Sequence, residues 1–151
     1  MKKIAKIFAV AGSVALLAAC GSSKQEEAPK VDTFGGHTVQ ELQQSYNTVY
    51  FGFDRYDVDE QYVPLLTAQA AYLVATPATN VIVQGYTDER GTPEYNIALG
   101  QRRADAVKNF LATNGVADSQ LSTVSYGEEK PAVLGHTEAA YAKNRRAVLA
   151  Y

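Results

Sequence analysis

The 151-residue sequence contains one cysteine, Cys20, two histidines and no tryptophan. A single cysteine excludes an intramolecular disulfide. His37 and His136 lie far apart, and neither has a cysteine or another histidine nearby, so the sequence predicts no metal site. The 14 lysines and arginines do not outnumber the 16 acidic residues, and they form no basic stripe. These features argue against nucleic acid as a partner.

Long apolar runs are also absent, apart from one near the N-terminus. Lys2, Lys3 and Lys6 precede an uncharged, mostly apolar run over residues 8–19. A run of about twelve residues is too short to cross a bilayer core of roughly 30 Å as a helix. A basic start followed by a short apolar run and small residues is typical of a secretory signal peptide. We therefore expect any membrane attachment to come from an anchor rather than from a spanning helix.

The end of this run, Leu17-Ala18-Ala19-Cys20-Gly21, resembles a bacterial lipobox, in which the cysteine is acylated and the signal is cut just before it. The alternative is an ordinary signal peptide cleaved near Ala19 that leaves a free cysteine. An unmodified thiol is a liability in an oxidising compartment, and a stable anchor requires more than one acyl chain. The sequence thus predicts a signal peptide over residues 1–19 and a Gram-negative lipoprotein beginning at Cys20. Because Gly21 is not aspartate, the resemblance implies the outer membrane.

Cleavage before Cys20 leaves 132 residues and removes three lysines, which changes the net charge from −2 to −5. This length suits one domain plus a tail. Residues 21–36 are polar and have few bulky apolar side chains, so they cannot bury enough surface to offset the entropy of ordering. We expect a lipidated, flexible tether over residues 20–45, with a short helix possible over 39–46, and a folded domain over 46–151.

The remainder of the chain alternates strand and helix patterns. Predicted strands cover 49–53, 81–83, 121–126 and 147–151, and predicted helices cover 60–75, 92–114 and 138–143. Thr92 and Pro93 suit the start of the second helix, and Gly115 suits its end. The order β-α-β-α-β-(short α)-β predicts an α/β two-layer sandwich with the helices on one face of a mixed sheet.

Charged residues cluster where the second strand leads into the second helix, over residues 85–96. Strand ends and helix N-termini are the places where an open α/β sheet presents ligand-binding groups. Arg102 and Arg103 follow in the helix, both near its apolar stripe, where an arginine needs an anion or an outlet to water. Periodicity does not decide which of the two points inward. A purely structural pairing with a loop carboxylate is the alternative to ligand binding.

Three stretches resemble a known family: VYFGFDRYDVD, GYTDERGTPEYNIALGQRRADAVKNFL and SYGEEKPAVLGHTEAAYAKNRRAVLAY. Together they are similar to the OmpA-like peptidoglycan-binding domain over Tyr46 to Tyr151. The resemblance implies non-covalent binding of the peptidoglycan stem peptide through meso-diaminopimelate, without a cofactor. The free end of this residue carries an ammonium and a carboxylate. An arginine fork suits a carboxylate because it donates two parallel hydrogen bonds.

Individual residues carry over from the family's motifs by position. The resemblance implies that Asp88 takes the ammonium and Arg103 takes the carboxylate. Further ligand-lining positions are Phe53, Asp54, Asn96 and Leu99. The family often has histidine or asparagine where Tyr86 stands and serine where Gly100 stands, which affects the expected pocket shape but not the two charged positions. The run 144–146, Asn-Arg-Arg, is expected to tie the last strand to the loops.

The lipoprotein members of this family suggest the wider role. They imply a chain that links the outer membrane to the cell wall, supports envelope integrity and cell division, and binds the periplasmic β-propeller protein of the Tol system. A peptidoglycan hydrolase is the alternative from another class, but the sequence has no nucleophile elbow and no histidine cluster. We therefore predict that the chain is not an enzyme. A surface adhesin on the same scaffold would add to wall binding rather than replace it.

Overall fold

The computed structural model describes residues 32–151; the predicted signal peptide and Cys20 lie outside the described residues. The helices are α1 (Val39–Gln44), α2 (Val63–Ala75), α3 (Pro93–Thr113) and α4 (Glu138–Asn144). The strands are β1 (Thr33–Phe34), β2 (His37–Thr38), β3 (Thr48–Tyr50), β4 (Val81–Tyr86), β5 (Leu121–Gly127) and β6 (Arg146–Ala150). Short 3-10 turns at Glu60–Tyr62 and Asp118–Gln120 precede α2 and β5.

Four of the strands form one mixed sheet in the order β3-β6-β4-β5. Strands β4 and β5 are parallel, whereas β6 is antiparallel to both β3 and β4. The parallel pair is joined through α3, as a crossover connection requires. Strand β6 therefore lies in the middle of the sheet although it comes last among the described strands.

The sheet buries one face beneath the helices. Along β4, Val81 and Val83 are fully buried, whereas Ile82 between them is 44% exposed. Strand β6 repeats the alternation with Ala147 and Leu149 buried. Successive strand residues point to opposite faces, so α2 and α3 cover one side of the sheet and leave the other side open. The predicted α/β two-layer sandwich with a mixed sheet is confirmed.

The ends of α3 follow the predicted capping residues. The hydroxyl of Thr92 accepts a hydrogen bond from the backbone N–H of Tyr95, and Pro93 occupies the first turn. Gly115, with φ of +97°, follows the last turn in the left-handed region that favours glycine. The predicted helix over 60–75 differs slightly, because its first three residues form a 3-10 turn and the α-helix begins at Val63.

Ordered structure begins upstream of residue 46, inside the expected tether. Strands β1 and β2 form a hairpin around Gly35 and Gly36, and α1 follows at once. Leu42 of α1 is fully buried in the main core. The side-chain amide of Gln69 donates to the backbone carbonyls of Leu42 and Tyr46, at 2.8 and 2.7 Å. The segment is therefore packed and hydrogen-bonded onto α2.

None of the helices within residues 32–151 combines the length and apolar character needed to cross a membrane.

A charged cleft at the start of α3

A cleft of about 190 Å³ lies where β4 leads into α3, beside the segment that follows β3. Five of the six ligand-binding residues predicted from the sequence line it: Phe53, Asp54, Asp88, Leu99 and Arg103. The lining residues come from the segment after β3, the loop after β4 and helix α3, so the cleft forms only when the sheet is folded. The prediction placed these residues together through motif positions that are up to 50 residues apart.

Asp88 is a buried carboxylate on the loop after β4, with only 4% of its surface exposed. Its Oδ1 accepts the backbone N–H of Arg90 at 3.0 Å. Its Oδ2 accepts from the guanidinium groups of Arg90 at 2.6 Å and Arg145 at 3.3 Å. Burial alone would raise the pKa of Asp88, but the hydrogen bonds and charge of Arg90, with the hydrogen bond from Arg145, outweigh it and lower the pKa. Asp88 is therefore ionised at neutral pH.

Arg103 projects from α3 and is fully buried. Its guanidinium donates to three backbone carbonyl oxygens, those of Arg55 at 2.8 Å, Tyr86 at 2.8 Å and Gly52 at 3.1 Å. Burial lowers its pKa to about 10, so it stays cationic at neutral pH. No carboxylate in residues 32–151 forms an ion pair with it. An arginine has five N–H groups, so two remain for an anion in the cleft.

The two adjacent arginines of α3 point in different directions. Arg103 enters the cleft, whereas Arg102 is exposed, with its guanidinium 5.9 Å from the ring of Tyr56. The question that periodicity left open is thus answered in favour of Arg103. Arg103 also holds the segment after β3 against the end of β4 through its three carbonyl partners, which is the structural part of its role.

The cleft has an aromatic and polar rim. Asp54 adopts φ of +55°, an uncommon conformation for a residue other than glycine, and the hydroxyl of Tyr95 donates to its carboxylate. Arg90 lies between two rings, 4.1 Å from the centroid of Phe53 and 4.5 Å from that of Tyr141. These contacts connect the segment after β3 to the loop after β4 across the opening.

Asn96 is the predicted site residue that does not line the cleft. It is fully buried in the first turns of α3, and its side-chain amide donates to Glu128 in the loop after β5. Its side-chain oxygen has no hydrogen-bond partner within residues 32–151. Asn96 is therefore placed to fix α3 against that loop, whereas Leu99, one turn later, contributes an apolar wall to the cleft.

Four residues of the cleft and its support were not singled out as ligand-binding residues from the sequence: Thr87, Arg90, Gly91 and Arg145. Arg90 lies two residues after Asp88, a spacing that allows the short Asp–Arg contact seen here, so a local signal existed. Arg145 is 57 positions away from Asp88 and no spacing rule connects them. It donates from Nε to the carbonyl of Phe51 at 3.0 Å and thereby ties β6 to the end of β3.

The neighbouring Asn144 anchors the loop that precedes α4. Its side-chain oxygen accepts from the backbone N–H groups of Ala132 and Val133, and its amide donates back to the carbonyl of Val133. The predicted structural role of the Asn-Arg-Arg run thus corresponds to specific contacts of Asn144 and Arg145.

The cleft offers fixed charges rather than reactive groups. A buried anion, Asp88, and a buried cation with unused N–H groups, Arg103, line the same small space. Such a pair suits a ligand that carries both signs of charge at a short separation. Among residues 32–151, no three histidine, cysteine, aspartate or glutamate side chains converge on a point that could hold a metal ion.

Comparison with known proteins agrees with the fold. The model of the OmpA family matches residues 50–145, which include the cleft and strands β4 and β5. The OmpA-like domain of FopA1 from Francisella tularensis has the same fold, with a TM-score of 0.57 at 21% identity over 68% of this chain and 70% of that one. The chain belongs to the OmpA family.

Within that family, the chain is similar over its whole length to peptidoglycan-associated lipoproteins. Those of Pasteurella multocida and Haemophilus influenzae are 70% and 68% identical, with all of both chains covered in each case. The crystal structure of the peptidoglycan-associated lipoprotein from Burkholderia pseudomallei is 54% identical, with a TM-score of 0.69 over 70% of this chain and 89% of that one. These relatives are named as lipoproteins and not as enzymes, which confirms the prediction that the chain is not an enzyme.

Proposed function

We propose that the chain is an outer-membrane lipoprotein that binds peptidoglycan non-covalently at the cleft beside α3. The ligand is the free end of meso-diaminopimelate in the stem peptide. Its ammonium is bound by Asp88 and its carboxylate by Arg103. Phe53, Asp54 and Leu99 enclose the rest of the side chain.

The observation that carries this proposal is the state of Arg103. A fully buried guanidinium without a carboxylate partner is costly to maintain, because a buried charge normally has an ionic partner. Three backbone carbonyls satisfy part of its hydrogen-bonding capacity. A ligand carboxylate would supply the missing negative charge and accept the remaining N–H groups in the paired geometry that arginine favours.

The proposal extends to the whole chain. The names of the full-length relatives support wall association and lipidation, and the lipobox-like end of the apolar run assigns the lipid to Cys20. With its acyl chains in the outer membrane and its cleft bound to the cell wall, one molecule would link the two layers. We also propose, from the family resemblance, that the periplasmic β-propeller protein of the Tol system is a partner and that the link supports envelope integrity and cell division.

The proposed recognition can be tested with two stem peptides, one with diaminopimelate and one with lysine. Lysine keeps the ammonium but lacks the carboxylate, so its binding would leave Arg103 buried and unpaired. Loss of one partner of a buried charge pair costs about 2–5 kcal/mol, roughly a thirtyfold to several-thousandfold weaker affinity. Titration calorimetry of the folded domain with both peptides should therefore show a strong preference for diaminopimelate.

Variants at the two adjacent arginines separate the role of the ligand contact from general effects on α3. Arg103→Lys keeps a cation but loses the fork and should reduce the preference, whereas Arg102→Ala should leave it unchanged. The measured quantity is the ratio of the two affinities, which partial unfolding of a variant does not alter. Equal affinity of the unsubstituted domain for both peptides would rule out the paired-charge mechanism.

A further inference from the structure

The carboxylate proposed to bind the ligand ammonium already has a cation on it. The guanidinium of Arg90 contacts Oδ2 of Asp88 at 2.6 Å while its own backbone N–H binds Oδ1. It lies between the rings of Phe53 and Tyr141, on the rim of the cleft. Arg90 thus occupies the place on Asp88 where a second cation would bind.

Asp88 has little capacity left for another donor. A carboxylate offers about four acceptor positions, and Arg90 and Arg145 fill three of them. Its single negative charge also faces two arginines. A ligand ammonium that approached this arrangement would find one free acceptor position on a carboxylate whose charge two arginines already share, so it binds well only if one of the arginines releases Asp88.

The two arginines differ in how firmly they are held. The side chain of Arg145 is 8% exposed and also binds the carbonyl of Phe51 and the carboxylate of Glu138 at 2.8 Å. The side chain of Arg90 is 34% exposed, and its Nε is buried without a hydrogen-bond partner within residues 32–151. The second terminal nitrogen of Arg90 lies 3.4 Å from Glu138, which is a second anion within reach.

We propose that Arg90 is an internal competitor of the ligand ammonium that lowers the affinity of every ammonium ligand. In the unliganded protein it holds Asp88; when the ligand binds, it moves from Asp88 towards Glu138 and solvent, and the ammonium takes its place. This inference rests on the proposed function, because it concerns the same carboxylate and the same ligand.

The competition sets a threshold for binding and does not change the ratio of affinities between two ammonium ligands. Displacing Arg90 reduces the net gain from every ammonium by the same amount, so an ammonium alone yields little binding free energy. A ligand that also brings a carboxylate to Arg103 gains a second, independent contribution. Simple amines and lysine side chains would thereby be kept from occupying Asp88.

The inference can be tested by substituting Arg90→Met, which keeps an unbranched apolar side chain next to Phe53 but removes the charge. The ligands are the diaminopimelate stem peptide and the same peptide in which the free-end ammonium is replaced by hydrogen. Because an ion pair with a partly exposed partner is weak, removal of Arg90 should strengthen binding of the first peptide by about two- to fivefold. It should leave the second peptide unchanged. Arg102→Met, at an exposed arginine outside the cleft, is the matched control and should change neither affinity.

A second variant tests the move to Glu138. Glu138→Gln removes the alternative anion, which also pairs with Arg145. It should weaken binding of the diaminopimelate peptide more in the unsubstituted protein than in Arg90→Met, where only an effect through Arg145 remains. If Arg90→Met weakens both peptides equally, Arg90 contacts the ligand and the competition model is wrong. If the unsubstituted protein binds neither peptide, the proposed function itself is wrong. If it binds the diaminopimelate peptide but Arg90→Met leaves the ratio of the two affinities unchanged, only the competition model is wrong.

Discussion

Asp88 keeps a negative charge in a buried position because two arginines bind it. One, Arg90, belongs to its own loop, and the other, Arg145, precedes β6. The loop after β4 is thus joined electrostatically to the centre of the sheet. The free energy of folding then depends on the ionisation of this carboxylate.

The lowered pKa of Asp88 predicts a loss of stability in acid. In the unfolded chain an aspartate titrates at about 3.9, and in the folded protein the pKa of Asp88 lies lower. Its contribution is therefore complete above the unfolded value and is lost as the pH falls through the folded value. We expect the free energy of unfolding to decline more steeply below about pH 4 in the unsubstituted protein than in Asp88→Asn.

Urea denaturation at a series of pH values between 7 and 3 measures this difference. The matched control is Asp57→Asn, which removes an exposed carboxylate that is paired with Arg55 and also has a lowered pKa. Solvent screens that pair, so its removal should change the slope much less. Parallel curves for the Asp88→Asn variant and the unsubstituted protein would contradict the assigned role.

At the scale of single residues, the positions of the family's motifs predicted the residues that line the cleft better than the periodicity of the side chains did. Asp88 and Arg103 were found because their spacing matches a known family, and periodicity alone could not choose between Arg102 and Arg103. Arg145 escaped prediction because its contact with Asp88 spans 57 residues and depends on the order of the strands. Asn96 was placed in the ligand lining, but its amide is instead directed to Glu128 behind the cleft.

Helix α3 lies unusually close to β4 because glycines face each other at their contact. A Cβ atom at Gly85 would lie 1.8 Å from the carbonyl oxygen of Gly100. A Cβ atom at Gly100 would lie 2.3 Å from the hydroxyl of Ser125 on β5. The first obstacle is backbone, whereas the second is mainly a side chain, with the carbonyl oxygen of Gly85 next at 3.1 Å. This close approach brings Arg103, three residues after Gly100, within reach of the carbonyl of Tyr86 at the end of β4.

The difference between the two obstacles predicts which substitution can be rescued. Gly100→Ala should cost about 1–3 kcal/mol of unfolding free energy, as overpacking of a core usually does, and Ser125→Ala in the same chain should recover most of it. Gly85→Ala should cost more and should not be rescued by Ser125→Ala, because the backbone of α3 has to move. Chemical denaturation of the three single and two double variants measures both effects. Rescue of both glycine variants to the same extent would show that α3 shifts freely on the sheet.

The predicted elements agreed with the structure where their side chains carried a pattern. Strand β4 was predicted only over residues 81–83, because Gln84 and Gly85 interrupt the apolar run; the ladder with β5 nevertheless continues to Tyr86 through backbone hydrogen bonds. The hairpin of β1 and β2 was missed because each strand has two residues and the turn between them is Gly35-Gly36. Strands that are held by backbone pairing of this kind do not require a pattern of hydrophobic residues, so the sequence gives little sign of them.

At the scale of the whole molecule, the packed segment from β1 to α1 determines how much of the chain is needed for stability. A polypeptide of residues 46–151 would lack Leu42 and would leave the amide of Gln69 without the carbonyl of that residue. We expect it to be less stable than residues 32–151 by at least about 2–5 kcal/mol, the cost of removing a buried leucine side chain. Its affinity for the stem peptide should not change once folded, because every residue that lines the cleft lies at or after Phe53.

Guanidinium unfolding and peptide titration of the two polypeptides provide the two measurements. Leu42→Ala in the longer chain should reproduce much of the loss, and Gln40→Ala, at an exposed position of the same helix, should not. Equal stability of the two polypeptides would mean that α1 contributes nothing to the core. A loss of affinity in the folded shorter chain would mean that the upstream segment shapes the cleft.

The central position of β6 has a consequence for how the molecule is made. Strands β3 and β4 do not pair with each other; each pairs with β6, whose residues 146–150 leave the ribosome after those of every other described strand. Until then β3 and β4 lack the strand with which both pair. Arg145, which connects the segment after β3 to Asp88, is also not yet made. The nascent chain is thus kept from completing its sheet early, which would suit the exported lipoprotein proposed above. Loss of residues 146–150 would remove a strand from the middle of the sheet rather than from its edge.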